Sequence, residues 1–227
     1  FSHEPFTAQV RVEHILKTAQ VCSVADRFDY VVRLGAIGLV TGEVGSGKST
    51  ALRWALSRLH PSEFRPIWIT ASSGSILELY RQLCAELEMD TSSFSRAILT
   101  RTIRKQILEL CLERKQKPVM VVDEASLLRV EVFCELHTIT QFEGDSKPYL
   151  PIILAGQNNL ADLLLYRTSV PLSSRIVART HLLGIDRKDM ELYLNHHLKI
   201  AGISHPLFAD AAVTAIHQGS GGLLRRA

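Results

Sequence analysis

No stretch of this chain approaches the about 18–20 consecutive apolar residues of a membrane-spanning helix. The start also lacks the pattern of a cleavable export signal, so we predict a cytoplasmic location. No long block of like charge occurs, and a net charge of +3 is too mild to indicate nucleic-acid binding by itself. Because the chain begins at Phe1 and ends at Ala227 inside a helix-like pattern, we expect both ends to be trimmed.

Paired metal-binding cysteines are also missing. Cys22, Cys84, Cys111 and Cys134 form no C-x-x-C pair, which disfavours zinc sites and disulfides. Each lies in an apolar or helical run, and we expect buried thiols. The adjacent histidines at 196–197 would point about 100° apart on a helix, so we expect them to face solvent or pack in a small domain rather than share a metal.

The 227 residues include 46% hydrophobic ones, enough for a substantial core. Short apolar runs at 36–41, 66–70, 118–123, 150–156 and 178–182 predict strands buried on both faces. Helical patterns separate them, over 50–56, 76–87 and 98–112, and possible N-cap residues at 90–93 divide the last two. This alternation predicts an α/β fold with a parallel sheet between layers of helices.

The strand pattern ends at about residue 184. Two helices are predicted beyond it, over 186–201 and 210–217. We therefore expect an α/β domain at 1–184 and a small helical lid at 185–227.

One motif indicates a ligand. Residues 42–49 read GEVGSGKS and fit G-x-x-x-x-G-K-[ST] at every position, between a predicted strand and a predicted helix. In this setting backbone N–H groups and the helix N-terminus hold a phosphate, Lys48 reaches the β- and γ-phosphates, and Ser49 holds Mg²⁺. The expected nucleotide-binding residues are Gly42, Glu43, Val44, Gly45, Ser46, Gly47, Lys48, Ser49 and Thr50.

Two acids end the third predicted strand. Asp123 is expected near Mg²⁺, and Glu124 is expected to polarise the attacking water. Together with the phosphate loop, this pair favours ATP hydrolysis over binding alone. The next predicted strand ends in AGQNN, where Gln157 is our first choice for a γ-phosphate sensor and Asn158 our second.

Two arginines complete the candidate site. Arg175 follows a Ser-Ser pair just before the fifth predicted strand, where it could reach the γ-phosphate of a neighbouring subunit. Arg225 follows Ser-Gly-Gly at the expected start of a last helix, where it could fold over the phosphates. For each arginine the alternative interpretation is a solvated surface residue.

In this order the motifs resemble those of AAA+ ATPases, which are ring- or filament-forming nucleotide switches. The stretches TGEVGSGKST, VVDEA, LAGQNNL, HHLKIAG and SGGLLR resemble more closely the general secretion pathway protein A group, as does the opening EPF. That group includes ATPases encoded beside transposases, relatives of the target-selecting ATPases of Mu-like elements. Two positions depart from the group: Ser126 replaces a histidine, and Leu224 replaces a proline.

The resemblance implies an ATPase that uses ATP and Mg²⁺ and assembles with copies of itself. Lys48 and Ser49 would contact phosphate and Mg²⁺, Asp123 would contact Mg²⁺, and Glu124 would be the base. It implies Gln157 as first sensor, Arg175 as trans-acting finger and Arg225 as second sensor.

Three functions remain open. The first is a helper of DNA transposition that binds DNA and a transposase. Scattered basic residues such as Arg101, Arg104 and Lys105 are compatible with it, and a solvated helix face explains them equally well. The second is the ATPase domain of a secretion assembly protein with a membrane partner. The third is a nucleotide-gated interaction module without hydrolysis, which Glu124 and Arg175 disfavour.

Overall fold

The computed structural model describes residues 5–7, 10–72, 75–89, 95–203 and 205–227. Its centre is a five-stranded sheet of order β2-β3-β4-β1-β5 in which every pair is parallel. This confirms the predicted α/β fold. The strands are β1 (Ile37–Gly42), β2 (Phe64–Thr70), β3 (Lys117–Asp123), β4 (Ile152–Gly156) and β5 (Ile176–Leu182).

The helices alternate with these strands, as the sequence predicts. Single 3₁₀ turns occur at Val12–His14 and Ala125–Leu127. The expected helix separator at 90–93 lies outside the described residues. The helices are α1 (Ala19–Leu34), α2 (Lys48–Ser57), α3 (Ile76–Glu86), α4 (Arg96–Leu112), α5 (Val130–Thr140), α6 (Asn159–Leu163), α7 (Val170–Ser173), α8 (Arg187–Ile200) and α9 (Asp210–Ser220).

Burial differs between the middle and the edges of the sheet. Every residue of β1 and β4 is buried, and so is β3 after Lys117. In β2 and β5, buried residues such as Ile67 and Leu182 alternate with partly or fully exposed ones, among them Val177 and Arg179. The expectation of burial on both faces is therefore wrong for β2 and β5, because the strand order places them at the two edges.

Helices cover both faces of the sheet. One apolar cluster joins β-strand side chains to α3, α4 and α5, with Tyr80, Phe133 and Phe142 fully buried. A second cluster, which includes Phe28 and Leu52, joins the other face to α1 and α2. None of the described helices is long and apolar enough to span a bilayer.

The C-terminal helices form a third, smaller cluster around Ile185, Met190, Leu194 and Val213. The segment before α1 connects α8, which carries part of this cluster, to α2. The Arg53 Nη2 donates to Val10 O at 2.9 Å, and His196 Nε2 lies 2.6 Å from His14 O. The division at 184–185 stays a prediction.

The histidine pair packs as expected for a small domain. His197 is buried, and its ring lies 4.4 Å from Tyr193 and 5.4 Å from Phe6, measured between centroids. Burial, assisted by the neighbouring His196, lowers the pKa of His197 to about 4, so this ring is neutral at physiological pH.

The cysteines depart from expectation at one position. All four are free; Cys84 is buried, Cys22 and Cys111 are half-buried, and Cys134 is exposed. Cys134 lies on the outer side of α5, whereas its neighbours Phe133 and Leu136 face the core. The prediction of a buried thiol is wrong there because the helical period turns this residue outward.

The tight contact at the end of α1 gives the first testable prediction. Gly35 has φ +66°, and an added Cβ would lie 2.3 Å from Pro148 O; Gly144 has φ +65° with nothing within 4 Å. We expect Gly144→Ala to cost about 1–2 kcal/mol of unfolding free energy through backbone strain alone. Gly35→Ala should cost about 1–3 kcal/mol more through overpacking.

Urea denaturation of both variants measures this difference. Because the backbone conformations match, Gly144→Ala is the control for strain. Equal losses in the two variants would show that Gly35 and Pro148 are not in close contact.

Candidate functional site

The parallel register brings the predicted site residues together at the carboxyl ends of the central strands. Thr41 pairs with Gly156, and Val122 pairs with Leu154, so β1, β4 and β3 end side by side. The loop at 42–47, the acids after β3 and the polar residues after β4 therefore lie together, which is where ligands bind in open α/β sheets.

Lys48 lies inside the loop that it follows. Its side-chain nitrogen donates to the carbonyl oxygens of Gly42 and Glu43, each at 2.9 Å, and the residue is only 6% exposed. Burial lowers the pKa of the Lys48 ammonium, and this outweighs the nearby carboxylates, which act in the opposite direction. The ammonium is thus held at the centre of the loop by acceptors that a phosphate oxygen can replace.

The loop fits a phosphate group in two further respects. Ser46 Oγ is buried and has no hydrogen-bond partner among the described residues, although buried hydroxyls are nearly always paired. The loop also leads directly into the N-terminus of α2, a ten-residue helix whose first N–H groups and dipole favour an anion.

Oxygen donors for a divalent cation stand beside the loop. Ser49 Oγ donates to Asp123 Oδ2 at 2.6 Å, and Asp123 Oδ1 accepts from the Glu124 N–H at 2.9 Å. A hydroxyl and a carboxylate next to a phosphate site are the hard ligands that Mg²⁺ takes. The residues present therefore fit both a nucleotide and its Mg²⁺.

Glu124 has an unusual backbone. Its φ of 54° and ψ of 31° lie in the left-handed region, and it precedes the 3₁₀ turn at Ala125–Leu127. Such a conformation in a residue other than glycine is strained and is common at functional sites. The side chain is half-buried and near enough to Lys48 to affect its titration.

Of the two candidate sensors after β4, the side chain of Asn158 rather than that of Gln157 is hydrogen-bonded to the phosphate loop. Asn158 Nδ2 donates to Glu43 Oε1 of the phosphate loop at 2.7 Å. Gln157 is half-buried, and its backbone N–H donates to Ser126 Oγ at 3.3 Å. The second choice, Asn158, is thus the amide bonded to the loop, a contact 115 residues apart that sequence spacing does not reveal.

Arg225 meets the phosphate loop through its backbone. Its N–H donates to Gly45 O at 3.4 Å, and a Cβ on Gly45, where φ is +87°, would lie 2.7 Å from Arg225 Cβ. Residues 224–226 form a turn after α9, and the Ala227 N–H donates to Leu223 O at 3.2 Å, so the expected helix start stays a prediction. Leu224, which the sequence did not suggest as a contact, packs toward Gly47.

Arg175 lies at the opposite end of the strands, where they begin. It precedes Ile176, which pairs with Ile37 at the start of β1, and its side chain is bonded to Asp145. The six residues of β1 span about 20 Å at roughly 3.3 Å each, so Arg175 cannot reach the loop of its own chain. A contact with nucleotide would have to be made in another subunit.

Known proteins resemble this chain in sequence. The AAA domain family matches residues 32–164, more than half of the chain. General secretion pathway protein A of Aeromonas hydrophila is 32% identical over 191 residues, which are 84% of this chain and 35% of that protein. The chain thus spans about a third of this relative's length.

Solved structures show the same fold at lower identity. Cdc6p of Pyrobaculum aerophilum has a TM-score of 0.75 at 14% identity, covering 97% of this chain and 61% of that chain. A Walker-type ATPase of Pyrococcus abyssi has a TM-score of 0.68 at 18% identity, covering 97% and 68%. Domain III of the replication initiation protein DnaA of Thermotoga maritima has a TM-score of 0.62 at 14% identity, covering 98% and 85%.

Proposed function

This chain belongs to the AAA domain family, and from its site we propose that it is a Mg²⁺-dependent, ATP-hydrolysing switch. The observation that carries the proposal is the hydrogen bond from Ser49 to Asp123, beside a complete phosphate loop. It brings together the two oxygen groups that nucleotide-bound Mg²⁺ requires, from positions 74 residues apart.

The described residues supply the other elements of hydrolysis. The Lys48 ammonium would exchange its loop carbonyls for β- and γ-phosphate oxygens, and the α2 N-terminus would hold the β-phosphate. Bound Mg²⁺ would neutralise charge that develops on the phosphate oxygens. The Glu124 carboxylate would orient the attacking water and accept its proton, giving ADP and phosphate.

Three residues would make the site responsive to nucleotide state. We propose Gln157 or Asn158 as the first sensor, and the bond of Asn158 to Glu43 favours Asn158. Arg225, against Gly45, would be the second sensor. Arg175 would act on the nucleotide of a neighbouring copy in a ring or filament.

For the cellular role we propose a helper of DNA transposition that assembles on DNA with ATP and engages a transposase. The second candidate is the ATPase part of a secretion assembly protein with a membrane partner. Its support is the 32% identity to general secretion pathway protein A. Stimulation of ATP turnover by duplex DNA would favour the first role, and indifference to DNA would favour the second.

Lys48→Ala tests the phosphate site. Removing the ammonium deletes the direct phosphate contact, so we expect no nucleotide binding detectable by isothermal titration calorimetry. Lys188→Ala, which removes an exposed lysine of α8, is the control and should bind like wild type. Unchanged affinity in Lys48→Ala would refute the site assignment.

Glu124→Gln separates hydrolysis from binding. The substitution keeps the size and removes the proton acceptor, so we expect ATP affinity near wild type and turnover lowered roughly 10²–10⁴-fold. Steady-state phosphate release measures the effect, with the exposed Glu131→Gln of α5 as control. Equal turnover in Glu124→Gln and wild type would show that another residue positions the water. Absence of hydrolysis in the wild-type oligomer would instead favour a non-hydrolysing nucleotide-gated module.

Mixing two inactive variants tests Arg175. Loss of a trans arginine can cost roughly 10³–10⁵ in rate, or about 4–7 kcal/mol of barrier. Arg175→Ala keeps an intact pocket and Lys48→Ala keeps an intact finger, so their mixture should regain part of the turnover that neither has alone. Specific activity of wild type should also rise with protein concentration.

The mixing test has a clear opposite outcome. If both variants fold and associate but their mixture stays inactive, Arg175 does not act in trans. If wild-type specific activity stays constant on dilution to the monomer, turnover needs no neighbour.

A further inference from the structure

A basic groove lies on the outside of the α4–α5 layer, apart from the nucleotide site. Its cavity volume is about 730 Å³, and four basic side chains line it: Arg96, Arg101, Arg104 and Lys105. All four come from α4, over three turns of one side of the helix. Glu135 of α5 is the acidic residue in this lining.

Two of the four basic side chains, those of Arg96 and Arg104, are held by contacts within the chain. Arg104 donates to the backbone oxygens of Thr138, at 3.0 Å, and Gln141. Its guanidinium carbon lies 4.9 Å from the centre of the Phe142 ring. Arg96 is paired with Glu135. Side chains that are fixed before a ligand arrives lose little conformational entropy on binding it.

Glu135 does not offer a free negative charge to the groove. It is 7% exposed, accepts from the Tyr80 hydroxyl at 2.6 Å, and is bonded to Arg96. Burial and this hydrogen bond raise the pKa of Tyr80 to about 12, so the phenol stays protonated as a donor. With one acid against four basic side chains, the groove keeps a net positive charge.

Arg101 and Lys105 form its outer edge. Both are exposed and lie four residues apart on α4, where like charges repel. Neither has an ion-pair partner in the described part of the chain, whereas the exposed Arg114 and the half-buried Arg187 are paired with Glu109 and Asp210. Two unpaired charges beside two fixed arginines form a surface complementary to an extended anion.

We propose that this groove binds the phosphate backbone of duplex DNA. The Cβ atoms of helical residues four apart are separated by about 5–6 Å. Successive phosphates of one DNA strand are separated by more than their rise of ~3.4 Å along the axis, because the strand winds around it. Arg101 and Lys105 can therefore contact neighbouring phosphates. Contacts of this kind carry no sequence information and depend strongly on salt. The choice of DNA over another polyanion rests on the proposed role in transposition.

Fluorescence anisotropy with a labelled 20-base-pair duplex of arbitrary sequence tests the proposal. The test variant is Arg101→Ala/Lys105→Ala. The control is Arg33→Ala/Lys188→Ala, which removes the same charge from exposed positions on α1 and α8. We expect Kd to rise at least tenfold in the test variant and less than twofold in the control. In the test variant the slope of log K against log salt should become less negative by about 1.8, since each of the two lost phosphate contacts contributes about −0.9.

Further measurements separate the alternatives. Arg101→Lys/Lys105→Arg, which keeps both charges, should retain binding, and nucleotide affinity by calorimetry should be unchanged in all three variants. Equal loss in test and control variants, or no wild-type binding at 50 mM salt, would overturn the groove assignment. Equally tight binding of a polyglutamate peptide would overturn the choice of DNA. None of these results would affect the ATPase proposal, which depends on Lys48 and Glu124.

Discussion

The hydrogen bond between Ser49 and Asp123 connects the two halves of the candidate site. Ser49 lies in the first turn of α2, and Asp123 ends β3, which is separated from β1 by β4. The bond spans this gap only because the three strands are parallel and their carboxyl ends lie side by side. Asp123 uses its other oxygen to hold the Glu124 N–H, so the same carboxylate also fixes the proposed base. Phosphate loop, cation ligands and base thus depend on one register.

Short local patterns predicted much of the fold around the candidate site. The phosphate-loop motif, the Asp-Glu strand end and the central strands each depend on fewer than ten consecutive residues, and in the structure the motif lies between β1 and α2 and the two acids stand at the end of β3. Strand order has no such local signal. It decides that β2 and β5 are edges, and it turned the expected burial of β5 into partial exposure.

Contacts between distant residues likewise could not be predicted from the sequence. Asn158 reaches Glu43 because β4 lies next to β1, and Arg175 meets Asp145 through the loop before β4. Gly222 O accepts the Ile185 N–H, and the Arg225 N–H donates to Gly45 O, so the residues after α9 are held by the residues after β5 and by the phosphate loop. Neither contact is visible in the local sequence pattern.

Two of these distant contacts, those of Asn158 and Arg225, end on the phosphate loop. Its carbonyls at Gly42 and Glu43 hold Lys48, its Glu43 side chain holds Asn158, and its Gly45 carbonyl accepts from Arg225. A phosphate that replaced those carbonyls as the partner of Lys48 would therefore act on a segment that is bonded both to the residues after β4 and to the C-terminal residues. Each such bond contributes about 0.5–1.5 kcal/mol, and a coupling of about 1–3 kcal/mol is typical of allosteric switches. Two or three loop contacts that differ between nucleotide states would be enough to account for the proposed switch.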